Sequence, residues 1–207
     1  MYRRLAWILS VALHPLIMPT LMFVVVLLFA PLATIPFTRE IMWQLTLAVF
    51  ITTFIVPIIS ISSMKLSRYI NSFRMADRQE RRLPFLVIGA FYIIATWLFA
   101  SKNTVNPLLN TGMIAMTTVV VIVAIVTFFW KISVHSAAIC GAVGFITALQ
   151  IIYPHDTLLY PLIIFTLLAG ALMSARLYLQ SHKPAEVWVG GALGFTVCFL
   201  MIYYFGR

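Results

Sequence analysis

Apolar runs long enough to cross a bilayer follow one another from end to end of this chain, and they restrict its fold more than any other feature. They cover about residues 5–30, 41–62, 84–100, 108–130, 133–153, 158–179 and 185–204. A helix of about 20 apolar residues spans the hydrocarbon core. Inside lipid every backbone N–H and C=O must be paired within the protein, which leaves helices or closed barrels. These runs are continuously apolar rather than alternating, so they predict helices. The expected fold is an all-α integral membrane protein, a bundle of six to seven transmembrane helices, with residues 1–207 forming a single transmembrane helical domain. Of the 207 residues 63% are hydrophobic and 9% charged, which leaves no room for a soluble domain. The first run follows Tyr2-Arg3-Arg4 and continues too far for a cleaved signal peptide, so an uncleaved first span is expected.

Charge orients the bundle. A net charge of +9 would suggest a nucleic-acid partner in a soluble protein. Here the basic residues sit in loops beside apolar spans, where topology and lipid phosphates account for them. The expected partners are therefore membrane lipids, with no nucleic acid. With seven spans, Arg3, Arg4, Lys65, Arg68, Arg74, Arg78, Arg81, Arg82, Lys131, Arg176 and Lys183 share one face, against only Arg39, Lys102 and Arg207 on the other. The positive face is expected to be cytoplasmic and the location a bacterial inner (cytoplasmic) membrane.

Local signals refine the spans. His14-Pro15 and Pro19 predict a kink in the first, where a packed, hydrogen-bonded histidine is the expected reading of His14 and a site residue the alternative. Pro57 predicts a second kink. Gly190 and Gly194, and Gly141 with its small neighbours, predict close helix packing. Trp7, Trp43, Trp97, Trp130 and Trp188 fall near span ends, as an interfacial belt does. Cys140 and Cys198 lie inside apolar runs and read as small buried hydrophobes.

Ionisable residues in or beside spans are costly, roughly 2.5–3.5 kcal/mol for an Arg at a span centre, so they mark candidate sites. The densest set lies in residues 174–194: Arg176, His182 and Glu186, spaced R-x5-H-x3-E before Gly190, Gly191 and Gly194. Pro184 suits the first turn of a helix, where its missing N–H would be unpaired anyway. A carboxylate four residues after His182 then reaches the imidazole. A second patch, residues 131–137, puts Ser133 and His135 at the start of the fifth span, where Ser133 also suits the helix N-cap. The basic loop 63–83 carries Arg74, Arg81 and Arg82. It reads as a topology signal, as a phosphate clamp of guanidinium forks, or as both.

These patches, at residues 74–82, 131–137 and 174–194, resemble in order the three signatures of the type 2 phosphatidic acid phosphatase (lipid phosphate phosphatase) superfamily. The third resembles S-R-x5-H-x3-D before a Gly-rich helix, with Glu186 where the pattern has Asp. Ser133 and His135 resemble P-S-G-H without its Pro and Gly, and Arg74-x6-Arg81 echoes K-x6-R-P without the R-P pair. In typical members the first two signatures share one loop, whereas here two apolar runs separate them.

The resemblance implies a membrane lipid phosphate (or isoprenoid phosphate or pyrophosphate) phosphatase acting through a phosphohistidine. It assigns His182 as nucleophile, Glu186 as the carboxylate that orients it, and His135 as the acid that protonates the leaving alkoxide. Arg176, Ser133, Arg81, Arg74 and Arg82 would bind the substrate phosphate, and no metal or other cofactor is implied. Two other classes stay open. A non-enzymatic lipid-binding or transport protein would use the same basic pocket to hold a headgroup. An intramembrane prenyltransferase is suggested by the run from Asp77 to Pro84. Those enzymes need two Asp-rich motifs to hold Mg²⁺–diphosphate, and this chain offers only Asp77 and Asp156, on opposite faces.

Overall fold

The computed structural model describes residues 2–30, 35, 37–70, 78–101 and 106–206, with every side chain there except those of residues 78–81. Among these residues the chain forms helices and no strand. The first span consists of α1 (Tyr2–Ala12), a 3₁₀ turn (Pro15–Ile17) and α2 (Met18–Phe29). The second consists of α3 (Arg39–Phe50), a π turn (Ile51–Ile55) and α4 (Val56–Leu66). One helix makes each of the others: α5 (Arg78–Ser101), α6 (Pro107–Thr127), α7 (Val134–Ile152), α8 (Leu159–Tyr178) and α9 (Pro184–Phe205). Among the described residues seven stretches are long and apolar enough to cross a membrane, and the protein is an all-α integral membrane bundle.

At the centre α7 and α9 pack backbone to backbone. A Cβ on Gly194 would overlap the Ala137 carbonyl, and one on Gly190 would stand 2.6 Å from the Ser133 carbonyl oxygen. Small residues let two helices approach this closely without the hydrophobic effect that drives packing in water. The glycine spacing in the sequence predicts this contact. Around the pair stand α6, which packs on α9, and α8 and α2, which pack on α7; α5 lies outside on α6, and α1 against α8. All five tryptophans are exposed, at the span ends where a belt belongs.

Two departures from the predicted spans have local causes. α5 begins at Arg78 and takes in Pro84, which the sequence reading makes its start. Gln79, Glu80, Arg81 and Arg82 are good helix formers and carry the helix beyond the apolar run. In the second span the Pro57 kink takes the form of the π turn, in which the Val56 N–H donates to the Ile51 carbonyl. Widening the turn just before Pro57 accommodates a ring that removes one i→i−4 bond.

Hydrogen bonds tie the spans at both ends. On one end Thr157 Oγ1 donates to the Phe29 carbonyl at 2.9 Å and Thr111 Oγ1 to the Phe205 carbonyl at 2.9 Å. On the other the Ser133 N–H donates to the Glu186 carbonyl at 3.1 Å. That second end carries the candidate site.

Candidate functional site

The site is built outward from the start of α9. Lys183 is the extended N-cap residue and Pro184 opens the helix, as the sequence predicts. Glu186 in the first turn then reaches back, and its Oε2 accepts from the Lys183 N–H at 3.2 Å and from His182 Nδ1 at 2.8 Å. The His182 and Glu186 side chains are only 4% and 8% exposed. A carboxylate this far from water must be paired, and these two donors pair it. The bond also fixes the imidazole: Nδ1 carries the proton toward Glu186, so Nε2 keeps the lone pair.

Arg176 comes to His182 through a tight turn. It sits in the last turn of α8, and Gln180 just beyond has a left-handed backbone, φ 51°. The Ser181 N–H then closes back on the Arg176 carbonyl at 3.2 Å and the Gln180 N–H on the Leu177 carbonyl at 2.9 Å. Such a terminus reverses the chain while pairing the last carbonyls of the helix.

Ser133 caps α7, its Oγ accepting from the Ser136 N–H at 3.4 Å and sharing a hydrogen bond with Ser136 Oγ at 2.9 Å. Because its own N–H binds the Glu186 carbonyl, the starts of α7 and α9 are tied to each other directly. Two residues on, His135 Nε2 donates to the Ser10 carbonyl at 3.1 Å. In an unbroken helix that carbonyl would accept from the N–H of residue 14. Here α1 ends at Ala12, and the imidazole takes its place. His135 Nδ1 is thereby left as the nitrogen with a lone pair.

The break itself lines the site. His14 Nδ1 accepts from the Leu16 N–H at 3.3 Å, capping the 3₁₀ turn. Its ring meets that of His135 edge-on, with centroids 5.8 Å apart, and that of Phe54 in the π turn at 6.5 Å. Non-helical backbone at membrane depth is stable where protein buries it or where it borders a cavity. A cavity of about 1130 Å³ lies against it. Arg3, Arg4, Lys131, Arg176, Gln180, Ser181 and the three histidines 14, 135 and 182 line its polar end. Deeper along the spans the lining turns apolar, with Met18, Met22, Ile88, Tyr92, Met116 and Val119.

The cavity thus brings together His135, His182 and Arg176 from the sequence reading, with Glu186 behind His182. Ser133 is fully buried and serves as cap and tie; it does not line the cavity. Arg82 lies elsewhere, its guanidinium over the Phe128 ring at 5.4 Å. Arg74, Asp77 and the side chain of Arg81 fall outside the described residues. His14 is both the packed, hydrogen-bonded histidine that the sequence predicts at the kink and a cavity residue. In the sequence Arg3 and Arg4 read only as topology charges, since nothing local connects them to a site, and Lys131 falls within the 131–137 patch without a role of its own. Among the described residues no group of three or more His, Cys, Asp or Glu could hold a metal ion. No family model, curated protein or solved structure matches the chain.

Proposed function

We propose that the protein is a membrane phosphatase that hydrolyses a lipid phosphate monoester, or an isoprenoid phosphate or pyrophosphate, through a phosphohistidine at His182. The observation that carries this reading is the 2.8 Å His182–Glu186 pair, beside a cavity that also presents His135 and Arg176. An imidazole whose Nδ1–H is held by a buried carboxylate carries its lone pair on Nε2 and has a charge partner for the cation that forms on attack.

In the first step Nε2 of His182 attacks phosphorus. The ester P–O bond breaks, and its electron pair leaves with the lipid alkoxide. His135, which gains a proton on Nδ1 when the anionic phosphate is bound, supplies it from there, because its Nε2–H is committed to Ser10. In the second step water attacks phosphorus and His135 takes its proton back. The P–N bond then breaks, releasing inorganic phosphate and free His182. Arg176, with Arg3, Arg4 and Lys131 at the same end of the cavity, neutralises the phosphoryl oxygens, and the apolar depth receives the chain of the lipid. Arg74, Arg81 and Arg82 belong to this reading only through the resemblance of the loop. The proposed setting is a bacterial inner membrane with the site at the cytoplasmic face, where the basic loops lie.

Rapid quench of purified protein with a panel of lipid phosphates and pyrophosphates, in the presence of a chelator, tests the reading. Wild type should trap acid-labile phosphate on protein, and His182→Ala should trap none and turn over nothing. If wild type neither hydrolyses nor phosphorylates across the panel while still binding lipid phosphate, catalysis is excluded and the chain is a lipid-phosphate binder.

A further inference from the structure

His14 is an ionisable residue inside the first span that the phosphatase chemistry does not use. Capping the Pro15–Ile17 turn does not account for a histidine there. The cap needs one acceptor, and Asn, Asp or Ser supplies it in the usual way. A histidine brings a second nitrogen. With Nδ1 accepting from the Leu16 N–H, the proton of the neutral ring sits on Nε2, which makes that nitrogen a donor. Among the described residues no hydrogen bond engages Nε2, and none joins the His14 ring to that of His135. The ring lines the cavity together with Arg3, Arg4 and Arg176. Guanidinium groups are donors only, and although Ser10, Gln180 and Ser181 also line the cavity, among the described residues none of them bonds this N–H. The complementary group is an anionic oxygen brought by the ligand.

We propose, on the reading that the cavity holds a phosphate, that His14 is a ligand-binding residue whose Nε2–H donates to an oxygen of the phosphoryl group. One imidazole then serves two ends. Its Nδ1 holds the helix break, and its Nε2 holds the anion opposite the arginines. The contact is needed whether the phosphate is hydrolysed or only bound, so it is separable from the nucleophilic role of His182.

The test uses the full chain purified in detergent, with dioctanoyl phosphatidic acid and inorganic phosphate as probes. His14→Asn keeps an acceptor for the Leu16 N–H and removes the ring donor. It should retain the ligand-free melting temperature and weaken binding of both probes roughly ten- to hundred-fold, the scale of one hydrogen bond to a charged group. Dioctanoylglycerol, which has the chains without the phosphate, should bind His14→Asn and wild type alike. Weakened binding of both probes supports the contact, and the probe that wild type holds more tightly tells whether the phosphate arrives on a lipid or free. Unchanged affinity in His14→Asn, with Arg176→Lys weakened, overturns the role of His14 and leaves the phosphate reading standing. A wild type that binds neither probe overturns both. Should His14→Asn fail to fold, ¹⁵N-histidine spectra of wild type decide. Phosphate should shift the Nε2 signal of His14 and leave its Nδ1 in place, and an unmoved Nε2 overturns the contact.

Discussion

Glu186 takes two hydrogen bonds on one oxygen in a site where water scarcely reaches it. Glu186→Gln keeps the shape and removes the charge that both donors need. Turnover should fall well below wild type yet stay above His182→Ala, and stability should drop by about 1–3 kcal/mol, read as a lower melting temperature. Arg176→Lys replaces a planar fork by a point charge and should lower kcat/KM at least ten-fold, while Arg68→Lys, at an exposed residue away from the cavity, should leave it unchanged. Gln180 holds a left-handed backbone that glycine adopts more cheaply, and its side chain faces the cavity. Gln180→Gly should therefore raise stability by about 1 kcal/mol and weaken ligand binding. The contrast between His182 and His14 shows what a sequence can reveal at this scale. His182 and Glu186 lie one helical turn apart, so their spacing alone predicts the contact. The ring contacts of His14 and the hydrogen-bond partner of His135 lie on other spans, and no local periodicity names them.

The elements differ in how much freedom they have. Gly194→Ala would drive a methyl into the Ala137 carbonyl, a backbone atom that cannot move aside without parting α7 from α9. It should destabilise by about 3 kcal/mol or more, beyond the usual range for an overfilled core, and should abolish ligand binding as the Ser133–Glu186 tie opens. Gly170→Ala on α8 meets nothing within 4 Å and should be neutral or stabilise by up to about 1 kcal/mol. Thermal unfolding of the two variants side by side checks both. The glycine pattern was readable because small residues at helical spacing have few other uses in lipid. The π turn was not. Pro57 announces a disturbance, but the register shift lies in the preceding turn, where Phe54 meets His14, and that contact comes from a distant part of the chain.

For the whole molecule, the seven spans were legible because hydropathy over some twenty residues averages out local detail. Their ends follow within a few residues, apart from the extra turn of α5. In a background with Cys140 and Cys198 replaced, Ser67→Cys and Asp156→Cys should react with an impermeant maleimide from opposite sides of sealed vesicles. Labelling of both from one side would refute the seven-span topology.

The helix break in the first span also sets a timetable for biosynthesis. The Ser10 carbonyl waits for an imidazole 125 residues away. At a translation rate of about 5–20 residues per second the wait is roughly 6–25 s. Throughout that interval the earliest part of the chain lies in the bilayer with its backbone unfinished, and it is completed only when the late helices arrive. A nascent chain arrested after Thr127 should leave Ser10→Cys open to a small membrane-permeant alkylating reagent. In the full-length chain, where Ser10 is 6% exposed, the same cysteine should be protected.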